Sequence, residues 1–148
     1  MADELAAQRA KLTEMFAFWG WTVRPDDVRL AWHIENELSL AVWVVWRQTP
    51  DGMRRSWAVT EPTGTLPIDH LPADGVPDHQ AALRAFGARW RTIAGERLEE
   101  RLGRERSARI RRDNPAMLHQ AERMRAMIGV AAELLLGLAE EDEGAVGR

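Results

Sequence analysis

Residues 38–47, LSLAVWVVWR, constrain this chain more than any other stretch of it. Leu40, Val42, Val44 and Trp46 line one face of a strand, and Ala41, Trp43 and Val45 make the opposite face apolar too. A strand apolar on both sides belongs at the centre of its sheet and has to be covered twice. One helical layer dries one face. The face carrying Trp43 and Val45 therefore calls for further helices, a second copy of the chain or a partner, because large exposed apolar patches mark interaction sites.

The flanking segments complete a meander. Residues 28–34 alternate, with Val28, Leu30, Trp32 and Ile34 on one side and Arg29, Ala31 and His33 on the other. Glu35, Asn36 and Glu37 turn the chain. Residues 48–52 carry the Pro-Asp-Gly signal of a tight turn, and residues 55–60 form a third strand containing Trp57. Residues 61–77 hold four prolines and two glycines and read as a loop.

Helices surround this sheet. Residues 3–19 place Leu5, Leu12, Met15, Phe16 and Trp19 on one helical face, and Gly20 ends the run. Asp78 stands where an N-cap belongs, before Leu83, Phe86, Trp90 and Ile93 at steps of three and four. That helix continues toward Leu98 and Leu102, weakened by Gly95, and Gly103 breaks it ahead of the arginine-rich residues 104–112. Asn114 then caps a last helix with Pro115 at its first position. Met117, Ala121, Met124, Ile128, Ala131, Leu135 and Leu138 form a seam that wants another helix beside it. Residues 140–148 are an acidic tail expected to fray. The expected fold is a single α+β domain spanning 1–148. It has a three-stranded antiparallel sheet, one N-terminal helix, and two or three C-terminal helices covering the sheet and each other.

Composition removes several function classes. The chain has 148 residues, 45% of them hydrophobic, which is enough for a core without staples. It contains no cysteine, so disulfides, thiolate metal sites and cysteine nucleophiles are excluded. The net charge is -3, so attraction to nucleic acid needs a local basic patch. No secretory pattern opens the sequence and no stretch reaches the length of a membrane span, so the expected compartment is the cytoplasm and no membrane is expected as a partner. Nineteen arginines stand against the single Lys11. This bias runs through the whole chain and reads first as coding composition.

Three short stretches carry a family likeness: Ser56-Trp57-Ala58-Val59, Leu66-Pro67-Ile68-Asp69, and residues 81–86 (AALRAF) running into Arg89-Trp90-Arg91. In these the chain resembles a family of small bacterial proteins defined as domain of unknown function 4826, over about a quarter of its length. It departs from that pattern by a longer loop before Leu66 and by the arginine run after Gly103. The resemblance implies the fold outline and carries no activity.

Catalytic and metal motifs are thin. His33-Ile34-Glu35 has the His-x-Glu form found in zinc deaminases, but the cysteine half of that motif is missing, and a His33–Glu35 hydrogen bond on one strand face is the ordinary reading. Asp69, His70, Asp74, Asp78 and His79 have metal-ligating atoms at irregular spacing, so turn and cap roles are expected, with no metal and no cofactor. Ser39, Ser56 and Ser107 lack a nucleophile elbow, no Gly-rich phosphate loop occurs, and no catalytic residue is assigned.

Two features point to binding. Ten arginines against Glu96, Glu99, Glu100 and Glu105 give residues 84–112 a local excess of six positive charges. Glu100 with Arg104, and Glu105 with Arg109, are spaced to neutralise part of it on a continuous helix. Arg109, Arg111 and Arg112 are left without local acids except Asp113. The tryptophans read mainly as core, yet Trp43 and Trp57 are the apolar anchors available if a face stays open. The expected function is that of a cytoplasmic interaction protein, immunity- or adaptor-like, which holds a protein partner through Trp43, Trp57, Arg104, Arg109, Arg111 and Arg112. A homodimer would also cover the apolar face. The alternatives are a nucleic-acid-associated regulator using residues 104–112 and an enzyme without a recognisable motif.

Overall fold

The structure, a computed structural model, describes residues 2–34, 39–63, 66–96, 100 and 102–146. The turn expected at Glu35, Asn36 and Glu37, the strand start at Leu38 and the helix position of Leu98 lie outside the described residues. The fold is α+β. Its elements are α1 (Ala2–Trp19), β1 (Val28–His33), β2 (Ala41–Thr49), β3 (Gly52–Thr60), β4 (Asp69–Pro72), α2 (His79–Gly95), α3 (Arg104–Asp113) and α4 (Pro115–Val146). The chain divides into two compact units, Met1–Leu83 and Arg84–Arg148, with α2 running from one into the other.

In the first unit the four strands form an antiparallel sheet in the order β1-β2-β3-β4. This corrects the expected three strands. The fourth lies inside the segment read as a loop, where Pro72 hides it. A proline is tolerated on a short edge strand because its missing N–H can face away from the ladder. β2 is internal, as its two apolar faces require. Thr49 pairs with Gly52, leaving Pro50 and Asp51 as a two-residue hairpin loop, and the Gly52 φ of 115° suits a residue without a Cβ.

β1 does not keep the expected alternation. Its register shifts between Leu30 and Trp32, so Leu30 opposes Trp43 while Trp32 opposes Val42. One extra residue reverses every side chain beyond it. Trp32 therefore lies on the sheet face opposite to Val28, and its ring stacks on His79 at 5.9 Å.

α1 covers the face that holds Trp43. Leu12 and Phe16 pack with Val28, Ala41, Trp43, Val45 and Ala58, and Leu5, Trp19, Trp21, Val23 and Ile68 close the margin. Each fully buried large side chain here contributes about 1.5–3 kcal/mol of transfer free energy. On the other face Val42, Val44, Trp57, Val59 and Leu71 are buried as well. The surplus apolar face expected on β2 is absent, because a single chain dries both sides.

In the second unit α2 and α4 run antiparallel. A Cβ placed on Gly87 would meet Leu136 Cγ at 2.7 Å, and one on Gly129 would meet Ala94 Cβ at 3.3 Å. Arg91 pairs with Glu133, and Arg125 donates to Glu96 O at 2.6 Å. The face of α4 that α2 packs against is thus Arg125, Gly129, Ala132 and Leu136. The seam read from sequence lies about a quarter-turn away. Its C-terminal part, Ala131, Leu135 and Leu138, is buried, while Met117 and Met124 at its N-terminal part are exposed. α2 ends at Gly95, opposite the middle of α4, so it has no residues left for those methionines. The acidic end of α4 stays helical to Val146, as its alanines and glutamates favour.

Candidate binding surfaces

The chain leaves α1 through a glycine-dependent turn that places a tryptophan over the sheet. Gly20, at φ 73°, donates its N–H to Ala17 O at 3.2 Å, and Trp21 donates to Phe16 O at 2.8 Å. These two bonds form the paired C-terminal motif that a left-handed glycine permits. Trp21 stacks on Phe16 at 5.9 Å, and Gln48 donates to Thr22 O at 2.9 Å, so this segment is laid along the end of β2. His70 of β4 packs against both Trp19 and Trp21, with ring centroids at 4.3 and 4.5 Å, while the two indoles touch each other at 4.9 Å. The Arg47 guanidinium lies 4.5 Å over the Trp21 ring.

Beyond this aromatic group opens a recess of about 670 Å³ at the hairpin end of the sheet, lined by Arg47, Thr49, Arg54, Ser56, Pro72 and Asp74 among others. Arg47 and Arg54 are directly opposite each other on β2 and β3. Like charges in that arrangement repel. Arg54 has one carboxylate near it, Asp74 at 4.0 Å, and Asp74 is 89% exposed. Among the described residues Arg47 has no carboxylate partner, and its Nε is buried without a hydrogen bond. Sequence reading passed over this pair. The signal was present, because a two-residue loop at Pro50 and Asp51 sets position 47 against position 54.

The second surface is α3, five arginines on ten residues. Ser107 is buried and Ile110 half-buried, while Arg104, Arg106, Arg109, Arg111 and Arg112 are all exposed. Gly103, at φ 87°, separates Glu100 from the helix that carries Arg104. The expected neutralisation by Glu100 and Glu105 is missing: Gly103 interrupts the helix between Glu100 and Arg104, and Arg104, Arg106 and Arg109 make no ion pair among the described residues, although Glu105 and Arg109 share α3. Arg112 meets Asp113 at 3.3 Å, with both side chains open to solvent. Asn114 ends α3 and begins α4. Its N–H donates to Ile110 O at 2.7 Å, and its Oδ1 accepts from Met117 N at 3.3 Å. Met117, Met124, Met127 and Val130 then stand exposed on α4.

The two tryptophan anchors belong to the core. Trp43 is 2% exposed and Trp57 4%, so neither presents a face to a partner. Trp57 donates its indole N–H to Val76 O at 2.9 Å. The histidines and carboxylates read as weak metal candidates are separately employed. Asp78 Oδ1 accepts from Ala81 N at 2.9 Å as the cap of α2, His79 stacks on Trp32, and His70 stacks on Trp19 and Trp21. Among the described residues no three His, Asp or Glu side chains are grouped to hold a metal ion. Glu35 lies outside the described residues, and His33 Nε2 is buried without a partner. No helix is long and apolar enough to cross a membrane among the described residues.

The sequence pattern of the family described as Domain of unknown function (DUF4826) matches residues 31–142. The chain belongs to this family. The match extends far beyond the quarter of the chain in which the likeness was read. It takes in the loop before Leu66 and the arginines of α3. No curated protein and no solved structure matches the chain.

Proposed function

We propose that this member of the DUF4826 family is a cytoplasmic interaction protein that binds an acidic segment of a partner protein through α3. The observation that carries the reading is the set of uncompensated, exposed arginines at 104, 106 and 109. Guanidinium forks match carboxylates bidentately, which supplies both strength and orientation. The exposed methionines that open α4 favour a protein over a nucleic acid. They are adaptable apolar contacts of the kind found at protein-binding surfaces, and no exposed aromatic ring is available on α3 to stack a base. Trp43 and Trp57 have no part in this reading, because both are core.

The test is affinity capture from the native cell extract by the intact chain and by an Arg104→Ala, Arg106→Ala, Arg109→Ala variant, with the retained material identified. A protein held by the first and lost by the second is expected. Equal retention by both removes the proposal. Retention of nucleic acid alone, with a salt dependence that flattens in the variant, replaces it with the regulator reading.

A further inference from the structure

We infer that Arg47 and Arg54 form a binding site for the phosphate group of a small molecule, in the recess at the hairpin end of the sheet. Their strands hold the two side chains on one face at directly opposed positions, a like-charge arrangement with a standing electrostatic cost. An anion placed between them would reverse its sign. Arg47 is already oriented. Trp21 supports its guanidinium from one side at 4.5 Å, and its buried Nε has no acceptor in the chain. With Nε closed off from solvent, the contact with an anion in the recess falls to the terminal nitrogens of Arg47, which lines it. Arg54 is held by one contact, 4.0 Å to a carboxylate that is itself almost fully solvated.

Charge and shape select the ligand. A planar carboxylate has two oxygens and one negative charge, which a single guanidinium fork satisfies. Two forks from adjacent strands suit a group with three terminal oxygens and nearly two charges, which is a phosphate monoester. Arg55 also borders the recess, but its guanidinium is turned to the other face of the sheet, over Trp57 at 5.8 Å. The volume of about 670 Å³ is that of a small-molecule site. Asp51 and Asp74 at the rim disfavour a polyanionic backbone, and Asp74 must release Arg54 when the phosphate arrives.

The site is tested by titrating inorganic phosphate into the ¹⁵N-labelled intact chain while following the arginine Nε–H and tryptophan indole resonances, with chloride at equal ionic strength as reference. Saturable shifts at Arg47, Arg54 and the Trp21 indole are expected, with Arg106 and Arg109 unmoved. Arg47→Lys, which keeps the charge and loses the fork, and Arg54→Gln each weaken binding by about tenfold or more, the effect of one charged hydrogen bond. Asp74→Asn tightens it. The indole spectrum of each variant shows whether the fold around Trp21 is intact. If Arg54→Gln keeps that spectrum and binds phosphate as well as the parent chain does, the site is refuted. Shifts that never saturate, or that appear equally at Arg106 and Arg109, reduce the effect to general screening and also refute it. A short duplex DNA titration that outcompetes phosphate at these same resonances would overturn the small-molecule assignment, and pyrophosphate doing so would overturn the monoester assignment.

Discussion

The indole N–H of Trp43 donates to Thr60 Oγ1 at 2.8 Å, diagonally across the β2–β3 ladder, since the residue opposite Trp43 is Ala58. Thr60 Oγ1 in turn donates to Gln8 Oε1 at 2.6 Å, and Gln8 Nε2 donates to Ser39 O at 3.2 Å. One hydroxyl thus joins the central strand to α1 and satisfies the polar atom of a tryptophan that is otherwise core. Thr60→Val strands the indole N–H and the Gln8 carbonyl in a dry site and is expected to cost about 1–3 kcal/mol in urea unfolding. Thr60→Ser keeps the hydroxyl and should cost clearly less.

Gly20→Ala tests the turn that delivers Trp21. Nothing lies within 4 Å of the new Cβ, so any cost comes from the φ of 73° alone. A loss of about 1–2 kcal/mol in thermal or urea unfolding is expected, as for an L-residue held left-handed. No loss would mean that the backbone there is free to relax.

Two glycines of the second unit should respond in opposite directions. Gly87→Ala drives a methyl to 2.7 Å from Leu136 Cγ and 3.1 Å from the Ala132 carbonyl oxygen, so it should destabilise by about 1–3 kcal/mol despite better helix propensity. Gly137→Ala meets nothing within 4 Å and should stabilise α4 by up to about 1 kcal/mol. Unfolding midpoints of the two single variants decide the matter.

Arg91 and Glu133 form a two-point pair, with Nε to Oε1 and a terminal nitrogen to Oε2 both at 2.8 Å. The Arg91 hydrogen bonds hold the Glu133 carboxyl below its ordinary value of 4.5. The unfolded chain therefore takes up that proton first as pH falls. The stability this pair adds is complete above pH 4.5 and disappears as pH drops through the lowered folded value. Glu133→Gln should lose a little stability at neutral pH, none at pH 2, and less at about 1 M salt, because both side chains are largely solvated. An equal loss at all three conditions would assign the pair a role other than charge.

Much of the local structure was legible because it depends on neighbours in sequence. The caps at Asp78 and Asn114, the stop at Gly20 and the hairpin at Pro50 and Asp51 are short-range hydrogen-bonding and φ requirements, and each stands where the letters put it. β4 was missed because its edge position excuses a proline that would disqualify an inner strand. Glu61 shows a similar limit. It is 1% exposed, an unlikely core residue by type, and becomes acceptable because Thr63 and Leu66 in its own loop donate to it.

By itself the sequence determined the α+β class, the antiparallel meander and the placing of Trp43 and Trp57 on strands, since side-chain period and turn chemistry are written residue by residue. Tertiary structure decided what those residues are for. Whether an apolar face becomes a core or an interface depends on what else reaches it, and α1 reaches Trp43 first. Whether Glu100 neutralises Arg104 depends on helix continuity, and Gly103 breaks it. Whether Arg47 and Arg54 act together depends on two strands closing into register, a relation that neither position carries alone.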